Sequence, residues 1–262
     1  MTTTHPGTAL ITGAASGIGK ATAFAFAKAG ANLALADYNL DLLCQTAESI
    51  HSAYPSSQIL TLQVDIASED AIRSMITQTV AKYSTIDYAI NNAGRGGQAG
   101  TSHALSSSDF DSLNAVNYRG TWLCVKYEIE QMLKQPIRSV PGGSGDERRA
   151  VRGSIVNVAS QLGLVGRSSA PIYVASKHAV IGFTKCDAID YAKDKIRINC
   201  VCPGVVETPM TEGAFEDAVS ITPMGRKGLP EEIADAVVFL SGESGSFCCG
   251  SALVVDGGYV IN

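Results

Sequence analysis

Tyr173 and Lys177 stand four positions apart in the run Tyr173-Val-Ala-Ser-Lys177, so a helix would place a phenol and an ammonium on one face. An ordinary phenol, with a pKa near 10, is a poor base at neutral pH. A neighbouring cation stabilises the phenolate, each pKa unit corresponding to about 1.4 kcal/mol, and the pair can then move a proton. The spacing alone is weak evidence, because the chain has 9 Tyr and repeats the pattern at Tyr191-Ala-Lys-Asp-Lys195. Context separates the two. Ser160 closes an apolar run ahead of Tyr173 and offers a hydroxyl to a reacting oxygen, whereas His178 holds the corresponding place before Tyr191. Tyr191 also ends its helical stretch, and it reads as a packing or surface tyrosine.

A second chemical feature lies near the start of the chain. Thr12-Gly13-Ala-Ala-Ser16-Gly17-Ile18-Gly19 follows an apolar run and leads into an Ala-rich helical stretch. Glycines there allow a sharp turn, close approach to a pyrophosphate and tight packing of helix on sheet, with the helix N-terminus presenting N–H donors to the anion. Gly19-Lys20 also resembles the end of a P-loop. That reading fails because Ala14 stands where its first glycine should be, and Ala21 where Ser or Thr would meet magnesium. About twenty residues on, Asp37 ends the second apolar run, where a carboxylate can accept hydrogen bonds from adenosine ribose hydroxyls and repel a 2′-phosphate. No arginine follows Asp37 and no basic residue precedes Gly17 in the turn, so NAD is expected over NADP. A cap on a helix beginning near Leu40 is the alternative role for Asp37.

These residues need elements that carry distant positions to one place. Strand-like runs fall at 9–12, 32–36, 59–64, 86–90, 154–158, 197–201 and 252–255, and helical stretches near 18–29, 40–52, 69–82, 110–134, 173–192 and 231–240. A helix between successive strands makes them parallel, and near-continuous apolar strands suit a sheet covered on both faces. The expectation is a single α/β domain over 1–262, a Rossmann fold with a doubly wound seven-stranded parallel sheet flanked by helices on both faces. Two segments break the rhythm. The polar, Gly-rich stretch 136–153 reads as a mobile loop, and about 204–230, rich in Pro and Gly, reads as a substrate lid or else a plain surface loop.

Composition removes other classes. A net charge of −5 over 262 residues argues against nucleic-acid binding. No apolar stretch is long enough for a membrane span, and the first residues lack a signal-peptide pattern. Seven Cys without a CxxC, and four His apart from them, argue against a metal site and for free thiols in a reducing, cytoplasmic compartment.

The ordered set Thr12-Gly-x-x-x-Gly17-x-Gly19, Asp65, Asn91-Asn92-Ala93-Gly94, Asn117, Ser160, Tyr173-x-x-x-Lys177 and Pro203-Gly204 with Thr208 closely resembles the short-chain dehydrogenases/reductases over essentially the whole chain. The resemblance implies that Tyr173 exchanges a proton with the substrate oxygen and that Ser160 hydrogen-bonds that oxygen. Lys177 would lower the Tyr173 pKa and hold the nicotinamide ribose, and Asn117 would hold a relay water through its backbone. It implies cofactor contacts at Gly13, Ser16, Gly17, Ile18, Gly19, Asp37, Asp65, Ile66, Asn92, Ala93, Gly94, Pro203, Gly204, Val206 and Thr208. Plainer roles stay open: a polar turn for Asn91-Asn92, a helix kink for Asn117, a strand terminator for Pro203-Gly204 and a turn residue for Thr208.

Arg95, Gln161, Met210 and Phe215 are expected to join Ser160 and Tyr173 around a small-molecule secondary alcohol or ketone. The insertion at 136–153 resembles those of fungal members, which suggests a cyclic secondary-metabolite intermediate. A homotetramer is implied as well. An NADPH-dependent ketoreductase, a non-redox isomerase or cyclase, and a dinucleotide-sensing protein are the alternatives.

Overall fold

In β1 (Thr8–Thr12), Ala9 and Ile11 turn to one side and Leu10 to the other, and every residue is buried. The same alternation runs through β2 (Asn32–Asp37), where Leu33 and Leu35 oppose Ala34 and Ala36, and through β5 (Gly153–Val158), where Val156 and Val158 oppose Ile155. Strands this apolar on both sides must be sandwiched, since burying one such side chain contributes about 1.5–3 kcal/mol. The computed structural model, which describes residues 6–139 and 145–262, shows how. With β3 (Ile59–Gln63), β4 (Tyr88–Asn91), β6 (Ile196–Pro203) and β7 (Ala252–Val255), they form a seven-stranded sheet in the order β3-β2-β1-β4-β5-β6-β7. Every neighbouring pair is parallel. The expected doubly wound sheet is present, and its order reverses between β1 and β4, the switch point where such sheets open a ligand crevice.

One apolar layer collects side chains of α1 (Gly17–Lys28), α2 (Leu40–Ala53) and α8 (Pro230–Ser241) with Phe26, Leu43, Ile50, Ile233 and Val237 at its centre. The opposite layer draws on α3 (Glu69–Tyr83), α5 (Thr121–Met132) and α6 (Pro171–Tyr191) through Ile72, Met75, Leu123 and Ala188. The helical stretch expected over 110–134 is instead divided. It comprises α4 (Ser107–Asn114), one π-helical segment (Ala115–Gly120) and then α5. A Cβ on Gly120 would lie 2.6 Å from the Ile66 carbonyl oxygen, so the chain passes close to the loop after β3 at this point.

The segment 136–153 is tied at both ends. Arg138 ion-pairs with Asp87 at 2.7 Å and pairs with Val151, while Arg149 meets Glu243 at 3.2 Å. Residues 140–144 of this stretch, expected to be mobile, lie outside the described residues. The stretch 204–230 carries a 3₁₀ turn (Pro209–Thr211) and α7 (Glu216–Ser220).

Candidate active site

The helix α1 begins without a cap of its own. Ser16 sits at the N-cap, but its side chain makes no capping bond and the first turn holds no acid. The first amide donors, and the positive end of the helix dipole, therefore face the cleft without an anionic partner from the chain itself. The turn that leads there depends on glycine. Gly13 and Gly17 have φ of 65° and 51°, and a Cβ on Gly19 would lie 2.0 Å from the Gly13 carbonyl oxygen. Asn92 fastens the turn, its Nδ2 donating to the carbonyls of Thr12 at 3.1 Å and Gly13 at 3.0 Å. The Thr12 hydroxyl in turn accepts from the N–H groups of Asn92 and Ala93, both at 3.1 Å.

Asp37 closes this half. One carboxylate oxygen accepts from Ala15 N at 3.0 Å and the other from Asn39 N at 2.9 Å. The cap of α2 is supplied by Asn39, which accepts from Leu42 N at 3.0 Å. Asp37 thus braces the glycine turn and keeps acceptor capacity on the cleft side. An uncapped helix start, a cradle that a Cβ would fill and a carboxylate beside it together fit a dinucleotide.

The other half gathers Ser160, Tyr173 and Lys177. Ser160 follows β5 in an extended conformation and its Oγ accepts from Leu162 N at 3.1 Å. Tyr173 lies in the first turn of α6, which starts at Pro171, and Lys177 lies one turn further on. The Lys177 ammonium donates to the Val158 carbonyl at 2.9 Å and stands 5.8 Å from the centre of the Tyr173 ring. Burial brings the Lys177 pKa down to about 8 from its usual 10.5. Burial also raises the Tyr173 phenol, while a hydrogen bond with Ser160 lowers it. Ser160, not Lys177, is the group that lowers the phenol here: the phenol's loss of water dominates, and the ammonium is turned to Val158.

Asn117 sits in the π-helical segment, fully buried. Its side-chain amide clamps the main chain of Arg95, accepting from Arg95 N and donating to Arg95 O, each at 2.9 Å. Its carbonyl accepts from the Thr121 hydroxyl at 3.1 Å.

The cleft, of about 810 Å³, brings most expected residues together. Gly13, Ser16, Gly17, Ile18 and Asp37 line it from β1 and β2, with Asp65 and Ile66 after β3. Asn92, Ala93, Gly94 and Arg95 follow β4, and Ser160, Tyr173 and Lys177 face them. Pro203, Gly204, Val206, Thr208 and Met210 follow β6. Four expected residues are not on the wall. Gly19 is buried behind the turn, and Asn117 lies under Arg95. Gln161 turns inward after Ser160, only 3% exposed, with its Oε1 lacking a hydrogen bond. Phe215 adopts a left-handed backbone (φ 68°) and packs under the Arg167 guanidinium at 4.7 Å.

Sequence reasoning missed the anchors. The Thr12 hydroxyl and the Val158 carbonyl hold Asn92 and Lys177, and Thr211, whose hydroxyl meets the Val206 carbonyl, holds the turn at Thr208. Thr12 and Val158 stand at strand ends beside motif residues, which was the available signal, whereas Thr211 closes the turn Pro209–Thr211.

Comparison with known proteins places these features in a lineage. Residues 13–260 match the family model described as enoyl-(acyl carrier protein) reductase. The chain is 41% identical over 263 residues to short-chain dehydrogenase fogB of Aspergillus ruber, covering 96% of each chain. It is 37% identical over 260 residues to 2,5-dichloro-2,5-cyclohexadiene-1,4-diol dehydrogenase of Sphingobium indicum, again covering 96% of each. It also superimposes with a TM-score of 0.85 on the crystal structure of 3-ketoacyl-(acyl-carrier-protein) reductase of Brucella melitensis complexed with NADH, at 32% identity, covering 98% of this chain and 99% of that one.

Proposed function

The chain belongs to the short-chain dehydrogenase/reductase family of oxidoreductases acting on alcohols and ketones, and on that premise we propose that it interconverts a cyclic secondary alcohol and its ketone with NAD, Tyr173 being the acid/base. The convergence of Ser160, Tyr173 and Lys177 at one end of a cleft whose other end is the glycine turn carries this reading. A nicotinamide dinucleotide, when bound, supplies the hydride acceptor or donor. The Gly13–Gly19 turn would take its pyrophosphate, Asp37 its adenosine ribose and Lys177 its second ribose. Ser160 and the Tyr173 phenol would share the substrate oxygen, fixing its orientation while Tyr173 takes or returns its proton. Lys177, shifted toward neutrality, can pass protons near pH 8.

NAD is favoured over NADP because the basic residues lining the cleft, Arg95 and Lys177, lie on the Tyr173 side, away from Asp37. A ring substrate is favoured by the name of the relative from Sphingobium. The seven free thiols suit a reducing cytoplasm, and no helix among the described residues is long and apolar enough to cross a membrane. Exposed Tyr118 just ahead of α5 and Trp122 on it, with Phe239 on α8, offer faces for a homotetramer.

Replacing Tyr173 with Phe tests the central claim. Turnover of cyclic alcohols is expected to fall by about 10²–10⁴-fold while calorimetric NADH affinity stays unchanged. Unaltered turnover would remove Tyr173 from the chemistry. Tighter binding of NADPH than of NADH would overturn the role given to Asp37.

A further inference from the structure

Four charged side chains line the cleft, and they are sorted by end. Asp37 ends β2 and Asp65 follows β3, whereas Arg95 follows β4 and Lys177 extends from α6 beside β5. The Lys177 ammonium is engaged by the Val158 carbonyl. Arg95 is different. Its main chain is held on both sides by the buried Asn117 amide, yet its side chain is exposed and, among the described residues, meets no carboxylate, carbonyl or ring.

No other arginine of the described residues is in that position. Six form ion pairs with carboxylates. Arg152 and Arg197 donate to main-chain carbonyls, and Arg73 lies over the Tyr127 ring. A guanidinium left over in a cleft wall, on a backbone fixed by a buried amide, is set for a partner that arrives from outside.

Its place relative to the reacting groups is fixed by its neighbours. A methyl on Gly94 would lie 3.7 Å from Lys177 Nζ, and one on Gly97 3.9 Å from Tyr173 Cβ. Arg95 therefore stands between two glycines whose added methyl groups would come within van der Waals reach of Lys177 and Tyr173.

We propose that the substrate carries a carboxylate a few bonds from its reacting oxygen and that Arg95 takes this carboxylate in a forked hydrogen-bonded pair. The planar guanidinium matches a carboxylate in two parallel bonds, and the absence of any acid from the lining of this half leaves the pair unopposed. The inference rests on the Tyr173 reading for which end of the cleft holds the substrate, but its test needs no turnover.

The NADH-saturated protein is titrated calorimetrically with cyclohexanecarboxylate, benzoate and octanoate, each against its primary amide. At least one carboxylate is expected to bind about tenfold more tightly than its amide, a difference of about 1.4 kcal/mol. In Arg95→Gln that ratio should fall to near one with NADH affinity unchanged, and Arg95→Lys should keep part of it. Equal binding of acid and amide, no binding of any carboxylate, or a ratio unchanged in Arg95→Gln would overturn the proposal. So would a loss of NADH affinity in Arg95→Gln, which would assign the arginine to the cofactor. Tyr173→Phe should keep the carboxylate preference, so failure of the acid/base reading shows separately as retained turnover in that variant.

Discussion

The two halves of the cleft are built from different materials. The half around the β1–α1 turn is main chain: glycine dihedrals, an uncapped helix start, and an Asn92 amide bonded to the carbonyls of Thr12 and Gly13. The half beyond β6 is side chain, with Met210 on the wall and Arg167 joining Asp217 and Phe215 at the surface. Main-chain sites tolerate one residue type at each critical place, so an error there is costly. Side-chain sites can be rebuilt from many combinations, which suits the part of an enzyme that chooses a substrate.

Substituting Gly19 presses hardest on that contrast. A Cβ there would lie 2.0 Å from the Gly13 carbonyl oxygen and 2.5 Å from Asn92 Nδ2, so the turn itself must move. Gly19→Ala is expected to weaken NADH binding by about 100-fold and to destabilise the fold by about 2–4 kcal/mol, read by calorimetry and thermal unfolding. Gly182→Ala, in α6 with open space around its Cβ position, should do neither. Unchanged NADH affinity in Gly19→Ala would remove the phosphate role from the turn.

Beneath the main-chain half lies a buried acid. Glu128 on α5 is fully buried, and one of its oxygens accepts from Asn91 Nδ2 at 2.8 Å while the other has no partner. Burial pushes its pKa up to about 8, against the Asn91 hydrogen bond, which lowers it. Asn91 also donates to Asn157, which reaches Thr184 on α6, so the chain of bonds joins the strand carrying Asn92 to the helix carrying Tyr173. The folded state holds a proton here that the unfolded chain releases above about pH 4.5. Stability from this group is therefore full below that value and is lost as pH rises toward 8. Glu128→Gln mimics the protonated form and should flatten the slope, leaving the variant more stable than the parent by about 1–4 kcal/mol at pH 8.5 and little different at pH 5. Parallel melting curves across that range would show that Glu128 keeps its charge in the fold.

What the sequence made legible follows the same division. The seven parallel strands, the glycine turn and the Ser160–Tyr173–Lys177 set were all readable, because short apolar runs between helical stretches and glycine-dependent turns restrict residue types locally, whereas the order of the strands in the sheet was not read. The π-helical break at Ala115–Gly120 was legible only as the kink left open for Asn117, since Ala-Val-Asn-Tyr-Arg-Gly carries no proline and the close pass of Gly120 to Ile66 is a tertiary fact. The inward turn of Gln161 and the position of Phe215 under Arg167 were not legible. Those depend on which partner a side chain finds across the cleft, and spacing does not carry that information. The turn of Lys177 toward Val158 belongs to the same class.

The smallest expected effect belongs to the segment 204–230, and it tests whether the side-chain half is energetically separate. Arg167 reaches α7 through both carboxylate oxygens of Asp217, at 3.1 and 3.0 Å, and covers the Phe215 ring. Asp217 is 76% exposed, so water screens the pair, and the combined contribution is about 1 kcal/mol or less. Arg167→Ala should shift the melting temperature by only a few degrees and leave NADH affinity unchanged, while proteolytic cleavage within 204–230 becomes faster and substrate KM rises. A fall in NADH affinity would mean that this segment is coupled to the glycine turn. The available route is Thr208, whose methyl lies 3.0 Å from where a Gly17 Cβ would stand. Gly17 thus faces Thr208 across the cleft, and a double variant with Thr208→Ser would then lose the coupling.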